Sequence, residues 1–327
     1  MTVHTVFAGD IGGTKTRLAM VEVSNLQPTI LREASYASRE FASFDLLLGD
    51  FLSNMDPPSR AAFGVAGPVR GRVVQTTNLP WRIDADALQA KFGFERCILI
   101  NDLEATACGL PALGADDLLT LQEGVRDACG NAAVIAPGTG LGEAGLYWDG
   151  KNHLPFATEG GHASFSPGSE LEIALLRYLK MQYQHVSWER VVSGAGLVSL
   201  HEFLREHRKM PVPQWLFEEI QSTGAAAISK AAIEERDEIC VETLDCFVRL
   251  MGAEAGNLAL KVMSSAGLYI GGGIAPKILP ALESGAFLEA FLDKGRMRHL
   301  LEAMPVKVIL NDRAALYGPA LRAGEMR

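Results

Sequence analysis

The sequence predicts an α/β protein of two related halves, and three observations lead there. The stretch VFAGDIGGTKTRLAMVEV, residues 6–23, sets a Gly-Gly turn between two apolar, strand-like runs. AAVIAPGTGLGEAGLYWDG, residues 132–150, repeats the order of apolar run, glycine-rich turn and apolar run. Finally, ILINDLEATACGLPAL (Ile98–Leu113) returns near the C-terminus as VILNDRAALYGPAL (Val308–Leu321), each time a buried-strand run, Asn-Asp and a helical stretch. A motif present in only two copies suits two α/β lobes better than a stacked repeat array.

Taken along the chain, strand-like runs fall at 3–9, 16–23, 61–66, 72–76 and 97–100, with a helical pattern at 84–92. A hinge is expected at Leu110-Pro111 to Gly114, after the first Asn-Asp helix. Later segments read as helices at 170–183, 188–206, 215–232 and 239–262, the second containing a flexible Ser193-Gly194-Ala195-Gly196 element. Met210-Pro211-Val212-Pro213 reads as a loop between helices. The expected division is a small α/β domain, 1–112 with 300–327, and a larger α+β domain, 113–299.

Composition narrows the class. With 327 residues, 48% hydrophobic and 21% charged, the chain can bury a substantial core in each lobe. There is no apolar run of bilayer length and no basic segment followed by a cleavable apolar stretch at Met1, so cytoplasm is the expected compartment. A net charge of −9, with basic residues scattered rather than striped, argues against nucleic acid as a partner. The five cysteines form neither a CxxC pair nor a Cys/His cluster with zinc spacing, which fits buried free thiols in a reducing compartment.

The first glycine turn suits a phosphate. Gly12 and Gly13 lack Cβ and can adopt φ > 0, so successive N–H groups can converge on an anion, with Thr14, Lys15 and Thr16 adding donors. Asp10, at the end of the first strand run, could face a magnesium ion directly or through water. Gly9 to Thr16 misses the Walker pattern because Thr14 stands before the lysine and a strand, not a helix, follows. An ordinary Gly-Gly hairpin is the competing reading. Two such turns can clamp one polyphosphate. In the second, Gly140, Gly142 and Gly145 satisfy G-x-G-x-x-G, but no helix follows, so a dinucleotide fingerprint is poorly supported.

Asn101 and Asp102 stand at a strand-to-helix junction, where Asn and Asp are favoured caps, and Asn311-Asp312 repeats that setting. The carboxyl end of a strand is also where ligands gather in α/β sheets, and Asp102 could accept a proton from a substrate hydroxyl there. Glu159-Gly160-Gly161-His162 adds a carboxylate and an imidazole on one short loop, and Glu189 follows in HVSWERVVSG. Each has a plain structural alternative: a turn for Glu159, a satisfied histidine for His162, a first-turn acid for Glu189. Together, several acceptors and a histidine are what a polyhydroxyl ligand requires.

The motifs GDIGGTKTRLA, TTNLPW, ILIND, APGTGLGEA, TEGGHASFSP, HVSWERVVSGAGL and IGGGIAPK occur in the order found in bacterial glucokinases, and the chain resembles that family over most of its length. The resemblance implies the sugar kinase, Hsp70 and actin superfamily plan of two ribonuclease H-like lobes around a cleft. It implies ATP-dependent phosphorylation of glucose with Asp102 as general base for the 6-hydroxyl, and Asn78, Asn101, Glu159, His162 and Glu189 around the sugar. It further implies that Gly12-Gly13-Thr14 and Gly138-Thr139-Gly140 hold the ATP phosphates, with Gly271-Gly272-Gly273 beside the nucleoside, Asp10 helping to place Mg²⁺, and a homodimer. Lys15 departs from the Asn common at that position, and GGTK is reminiscent of the related repressor, open reading frame and kinase family. The cysteine-rich zinc motif of that family is missing from ASFSPGSELEIALL, which points to the zinc-free group. The competing classes are a sugar sensor, which would carry a helix-turn-helix segment, an actin- or Hsp70-like ATPase, and a kinase of another hexose or amino sugar.

Overall fold

The first Gly-Gly turn joins β1 (His4–Ile11) to β2 (Lys15–Ser24) as an antiparallel hairpin, in register from His4 opposite Val23 to Ile11 opposite Thr16. The computed structural model describes residues 3–53, 55–76 and 79–325. Contacts gather them into two units: the first comprises residues up to Asp117, Leu154–Ala157 and residues from Asn311 on, the second Leu118–His153 and Thr158–Leu310.

In the first unit, β3 (Gln27–Ala37) extends the hairpin, and β4 (Arg60–Val65) and β8 (Arg96–Asn101) run parallel to β1, giving the order β3-β2-β1-β4-β8. Alternation along β1 sends its side chains to opposite faces. Phe7 joins a core with Phe44, Phe51, Phe63 and Trp81, built partly by α1 (Phe44–Phe51). Val6 and Ala8 join another with Leu316 and Ala320 of α12 (Ala314–Glu325). Both faces of the central strands are therefore covered, as parallel strands require. The short strands β5 (Val69–Arg70), β6 (Val73–Gln75) and β7 (Arg82–Asp84) form a separate antiparallel sheet, followed by α2 (Ala85–Phe92), which Asp84 caps.

The helices of the two duplicated segments meet inside this unit. α3 (Asp102–Gly109) packs on α12, and the glycine of each copy makes the approach possible: a Cβ on Gly109 would collide with the Ala314 carbonyl, and one on Gly318 with the Ala105 carbonyl.

In the second unit, strands β9 (Leu118–Gln122), β10 (Ala132–Pro137), β11 (Leu141–Trp148), β13 (Gly267–Ile270) and β14 (Val306–Ile309) take the order β11-β10-β13-β14-β9; β12 (His153–Ala157) follows β11 in the chain. β10 and β11 are antiparallel, and β10, β13 and β14 are parallel. The run β2-β1-β4-β8 of the first sheet thus recurs as β11-β10-β13-β14, a repeat of topology that matches the repeat of sequence. The core is largely helical: α4 (Glu170–Lys180), α5 (Gly194–Arg208), α6 (Gln214–Thr223), α7 (Ala225–Ile233) and α8 (Glu238–Val262), then α9 (Leu279–Glu283), α10 (Ala286–Leu292) and α11 (Arg298–Glu302).

Several expectations need correction. β3 was not foreseen, because its residues are mostly exposed or half-buried and show no apolar face. The helix expected at 215–232 is two helices broken at Gly224, whose φ of 58° and ψ of −130° cannot continue a helix. The segment 188–206 opens with a 3₁₀ turn at Trp188–Arg190 before α5, and its flexible-looking Ser193 is the α5 cap, its Oγ accepting the Gly196 N–H at 3.0 Å. Residues 300–310, expected with the small domain, pack with the second unit because β14 pairs with β13 and β9. The hinge region Leu110–Ala112 is a 3₁₀ turn continuing α3, and the change of unit comes after Asp117. Cys97, Cys108, Cys240 and Cys246 are buried, whereas Cys129 is exposed.

Candidate active site

In the first unit, the parallel pairing of β1, β4 and β8 aligns Ile11 with Val65 and Val65 with Asn101. Asp10 and the Gly12–Lys15 turn therefore lie at the same sheet end as Asn101 and Asp102. The Gly12 N–H closes the turn on the Lys15 carbonyl at 3.0 Å. Neither Gly12 nor Gly13 uses the positive φ that is open to glycine. Gly12 is required instead by crowding, since a Cβ there would lie 2.9 Å from the Lys15 carbonyl. Ser38, fully buried, holds the turn from beneath: its N–H donates to the Thr14 carbonyl at 3.0 Å and its hydroxyl to the Gly12 carbonyl at 2.8 Å.

Asp10 is not alone. Arg17, directly opposite on β2, pairs with it at 3.1 Å and also reaches the Asp312 carboxylate at 2.9 Å and carbonyl at 2.6 Å. Burial raises the Asp10 pKa above the ordinary carboxylate value, and Arg17 opposes that shift. A magnesium ion that keeps most of its waters and binds phosphate oxygens needs only one or two protein carboxylates, so Asp10 fits such an ion. Arg17 escaped the sequence reading, although hairpin register places it across from Asp10.

Asn101 caps α3, its Oδ1 accepting the Leu103 N–H at 2.9 Å and the Glu104 N–H at 3.4 Å. Asp102 is the first residue of that helix, with Oδ1 accepting the Leu103 N–H at 3.0 Å. The structural and chemical readings of this pair are therefore compatible: Asn101 shapes the junction and Asp102 stands at it. The second copy differs. Asn311 donates to Asp117 at 3.0 Å, Asp312 pairs with Arg17, and α12 begins only at Ala314.

In the second unit, the Gly138-Thr139-Gly140 turn closes through Gly138 N–H to Gly140 carbonyl at 2.8 Å, and the Gly194 N–H at the start of α5 donates to the Gly138 carbonyl at 2.8 Å. Gly271-Gly272-Gly273 lies alongside: the Gly271 N–H donates to Ile135, and Gly272, at φ 79°, leaves no room for a Cβ against the Pro137 carbonyl. Residues 163–165 run against 186–188, through Ser164 bridged to Ser187 and the Trp188 N–H on the Ala163 carbonyl at 3.0 Å. That pairing brings Glu189 toward the Glu159–His162 loop, where Glu159 and His162 stand exposed with 4.0 Å between carboxylate and imidazole. Glu189 Oε2 accepts the Leu141 N–H at 3.0 Å, touching the second glycine turn as well. Asn78 lies outside the described residues.

Two other features compete for attention. A cavity of about 770 Å³, lined by Ser169, Asn257 and Lys294 among others, contains none of the expected ligand-binding residues that are described. His201, Asp237 and Cys240 bring potential metal-ligand atoms within 4.8 Å of one another. Arg205 fills that space, donating to His201 at 3.1 Å and pairing with Asp237 at 2.5 Å.

Residues 7–326 match the family model described as Glucokinase. A glucokinase of Nostoc punctiforme is 43% identical, over 98% of this chain and 99% of that one. Among solved structures, a glucokinase from an Antarctic psychrotroph is 31% identical with a TM-score of 0.86, covering 99% of both chains. A ROK family glucokinase from Streptomyces griseus, in complex with glucose and AMPPNP, is 21% identical with a TM-score of 0.67, over 98% of this chain and 100% of that one, a likeness of fold. No described helix is long and apolar enough to cross a membrane.

Proposed function

The chain belongs to the glucokinase family and is an ATP-dependent glucose kinase, and we propose that it moves the γ-phosphoryl group of ATP to the 6-hydroxyl of D-glucose through the residues described above. Asp102 accepts the hydroxyl proton as the sugar oxygen attacks phosphorus in line, and ADP leaves. Asn101, Glu159, His162 and Glu189, with Asn78, hold the other hydroxyls, replacing the hydrogen bonds that the sugar gives up on leaving water. The Gly12–Thr14 and Gly138–Gly140 turns, whose first N–H groups are taken up in closing them, present the N–H groups that follow to the phosphates, with Lys15 at the first turn, and Gly271–Gly273 borders the nucleoside. Asp10 would hold Mg²⁺, which when bound neutralises developing charge on the phosphate oxygens. The repeated strand order supports two ribonuclease H-like lobes, the actin-like plan, and we assign a cytoplasmic homodimer on the family resemblance.

The observation that carries this reading is the pairing of 163–165 with 186–188, which collects Glu159, His162 and Glu189 near the second glycine turn. The test is ADP release from MgATP by the purified protein with glucose, mannose, fructose, glucosamine or N-acetylglucosamine, and with no sugar. Fast release dependent on glucose is expected. Sugar-independent release would mark an ATPase, and glucose binding without release would mark a sensor or a different phosphoryl donor.

A further inference from the structure

Glu143 lies on β11, three residues beyond the second glycine turn, and is 2% exposed. Its carboxylate occupies the space beside Gly160 that any larger side chain would need. It also touches the loop through the backbone: the Thr158 hydroxyl donates to the Glu143 carbonyl at 3.0 Å and accepts the Gly160 N–H at 3.2 Å. Gly161 in turn has no room for a Cβ because the Leu141 carbonyl lies beneath it. The Glu159–His162 loop thus rests on Leu141 and Glu143 of one strand, and its two glycines are the places of contact.

Beneath Glu143 is Glu254 of α8, fully buried and hydrogen-bonded to it. Glu254 has its own donors: Asn257 Nδ2 at 2.8 Å on Oε2 and Lys261 Nζ at 3.5 Å on Oε1. Lys294, beyond α10, donates to Asn257 Oδ1 at 2.9 Å and so steadies that amide. Glu143 has no such support: among the described residues no donor reaches its Oε1, which is buried. Two carboxylates in contact inside a protein cannot both ionise cheaply, and the one with donors keeps the charge. The groups facing Glu143 are Glu254 and Lys261 from α8, and burial together with the Glu254 charge pushes its acid up to about 8. Burial raises the Glu254 acid as well, with Asn257 and Lys261 opposing that shift, so Glu143, which lacks such donors, is the acid that donates to Glu254 at neutral pH.

We infer that Glu143, hydrogen-bonded to Glu254 and seated against Gly160, is a positioning residue for the loop that carries Glu159 and His162. This rests on the assignment of that loop to sugar binding. Ionisation of Glu143 places a second negative charge beside Glu254, drives the side chains apart and displaces Gly160 above them. The consequence is loss of sugar affinity at alkaline pH with nucleotide affinity retained.

The experiment is a pH profile, from pH 6 to pH 9.5, of KM for glucose, kcat and Kd for ATP in wild type, Glu143→Gln and Glu143→Leu, with Glu159→Gln as reference. In wild type, KM for glucose should rise about five-fold or more above pH 8, with kcat and ATP affinity moving less. Glu143→Gln keeps shape and donor without the titration, so its KM should stay near the wild-type neutral value and flat across that range. Glu143→Leu, which cannot donate, should raise KM for glucose about ten-fold at pH 7 with ATP affinity within about two-fold. A wild-type KM in Glu143→Leu, or an alkaline rise in Glu143→Gln matching wild type, would overturn the inference. If Glu143→Leu fails to fold, the comparison of wild type with Glu143→Gln decides alone. Should Glu159→Gln leave glucose KM unchanged, the loop assignment itself fails; should it raise KM while the Glu143 variants do not, only the positioning role fails.

Discussion

Glu189 turns one carboxylate oxygen back onto the second glycine turn: Oε2 accepts the Leu141 N–H at 3.0 Å and crowds the position where Gly140 would carry a Cβ. A residue assigned to sugar is thereby tied to a turn assigned to phosphate. Gly140→Ala should push aside the end of a flexible side chain rather than backbone, leaving the fold intact. The expected result is a rise of about ten-fold in KM for both glucose and ATP with little change in Tm. Steady-state kinetics with both substrates varied would check it; a change confined to one substrate would uncouple the two.

Asp102 stands at the first position of α3, where Asn101 already supplies the cap. Removing its basicity should leave that helix standing. Asp102→Asn is expected to lower kcat about a hundred-fold or more, with glucose affinity by calorimetry almost unchanged. Turnover like wild type would remove Asp102 from proton transfer.

Arg17 is 8% exposed and holds Asp10 on one side and Asp312 on the other. Deleting one partner of such a pair leaves an uncompensated charge, so Arg17→Met should cost about 3 kcal/mol of stability in urea unfolding. The double variant Asp10→Asn, Arg17→Met should recover part of that loss, because the carboxylate left without Arg17 is then Asp312 alone, whose side chain is 78% exposed and met by water. Additive losses in the double variant would contradict the pairing.

Glu143 also makes a prediction for stability. Its acid is raised from 4.5 to about 8 in the folded protein, so the native state keeps a proton that the unfolded chain has released. Stability from this group is complete below pH 4.5, declines as pH rises toward 8 and is flat above. Glu143→Gln does not titrate. Its stability relative to wild type should therefore grow across that window, by on the order of 3 kcal/mol. Thermal unfolding of both proteins at pH 5, 6.5 and 8 measures the difference, and parallel curves would contradict the raised acid.

Gly318 and Gly109 let α12 and α3 approach through backbone carbonyls, which cannot rotate away as a side chain can. Gly318→Ala should destabilise by about 1–3 kcal/mol despite alanine's better helix propensity. Urea denaturation provides the comparison, and a more stable Ala variant would show that the helices have room to part.

How far the sequence could be read depended on how local the determining physics was. Alternating apolar runs with a Gly-Gly turn specified the β1–β2 hairpin, and its register already implied Asp10 opposite Arg17. β3 was hidden because an edge strand with Pro28 and several charges buries no face that would show a period of two. The break at Gly224 was hidden because apolar spacing continues through it while the backbone does not. Glu143 stands within a run otherwise read as apolar, and nothing near it in sequence announces that Glu254 of α8 lies against it.

The sequence by itself determined the family, the α/β class with its duplicated strand, Asn-Asp and helix unit, and the residue types able to hold phosphate and sugar. These follow from patterns repeated within a few residues, where backbone preference and side-chain period act. Tertiary structure alone decided what each of those residues rests on: Ser38 beneath the first turn, Glu189 against the second, Glu143 and Glu254 beneath Gly160, and α12 against α3. Those contacts join segments far apart in the chain, and they exist only because close packing forces distant side chains and backbone into the same few ångströms.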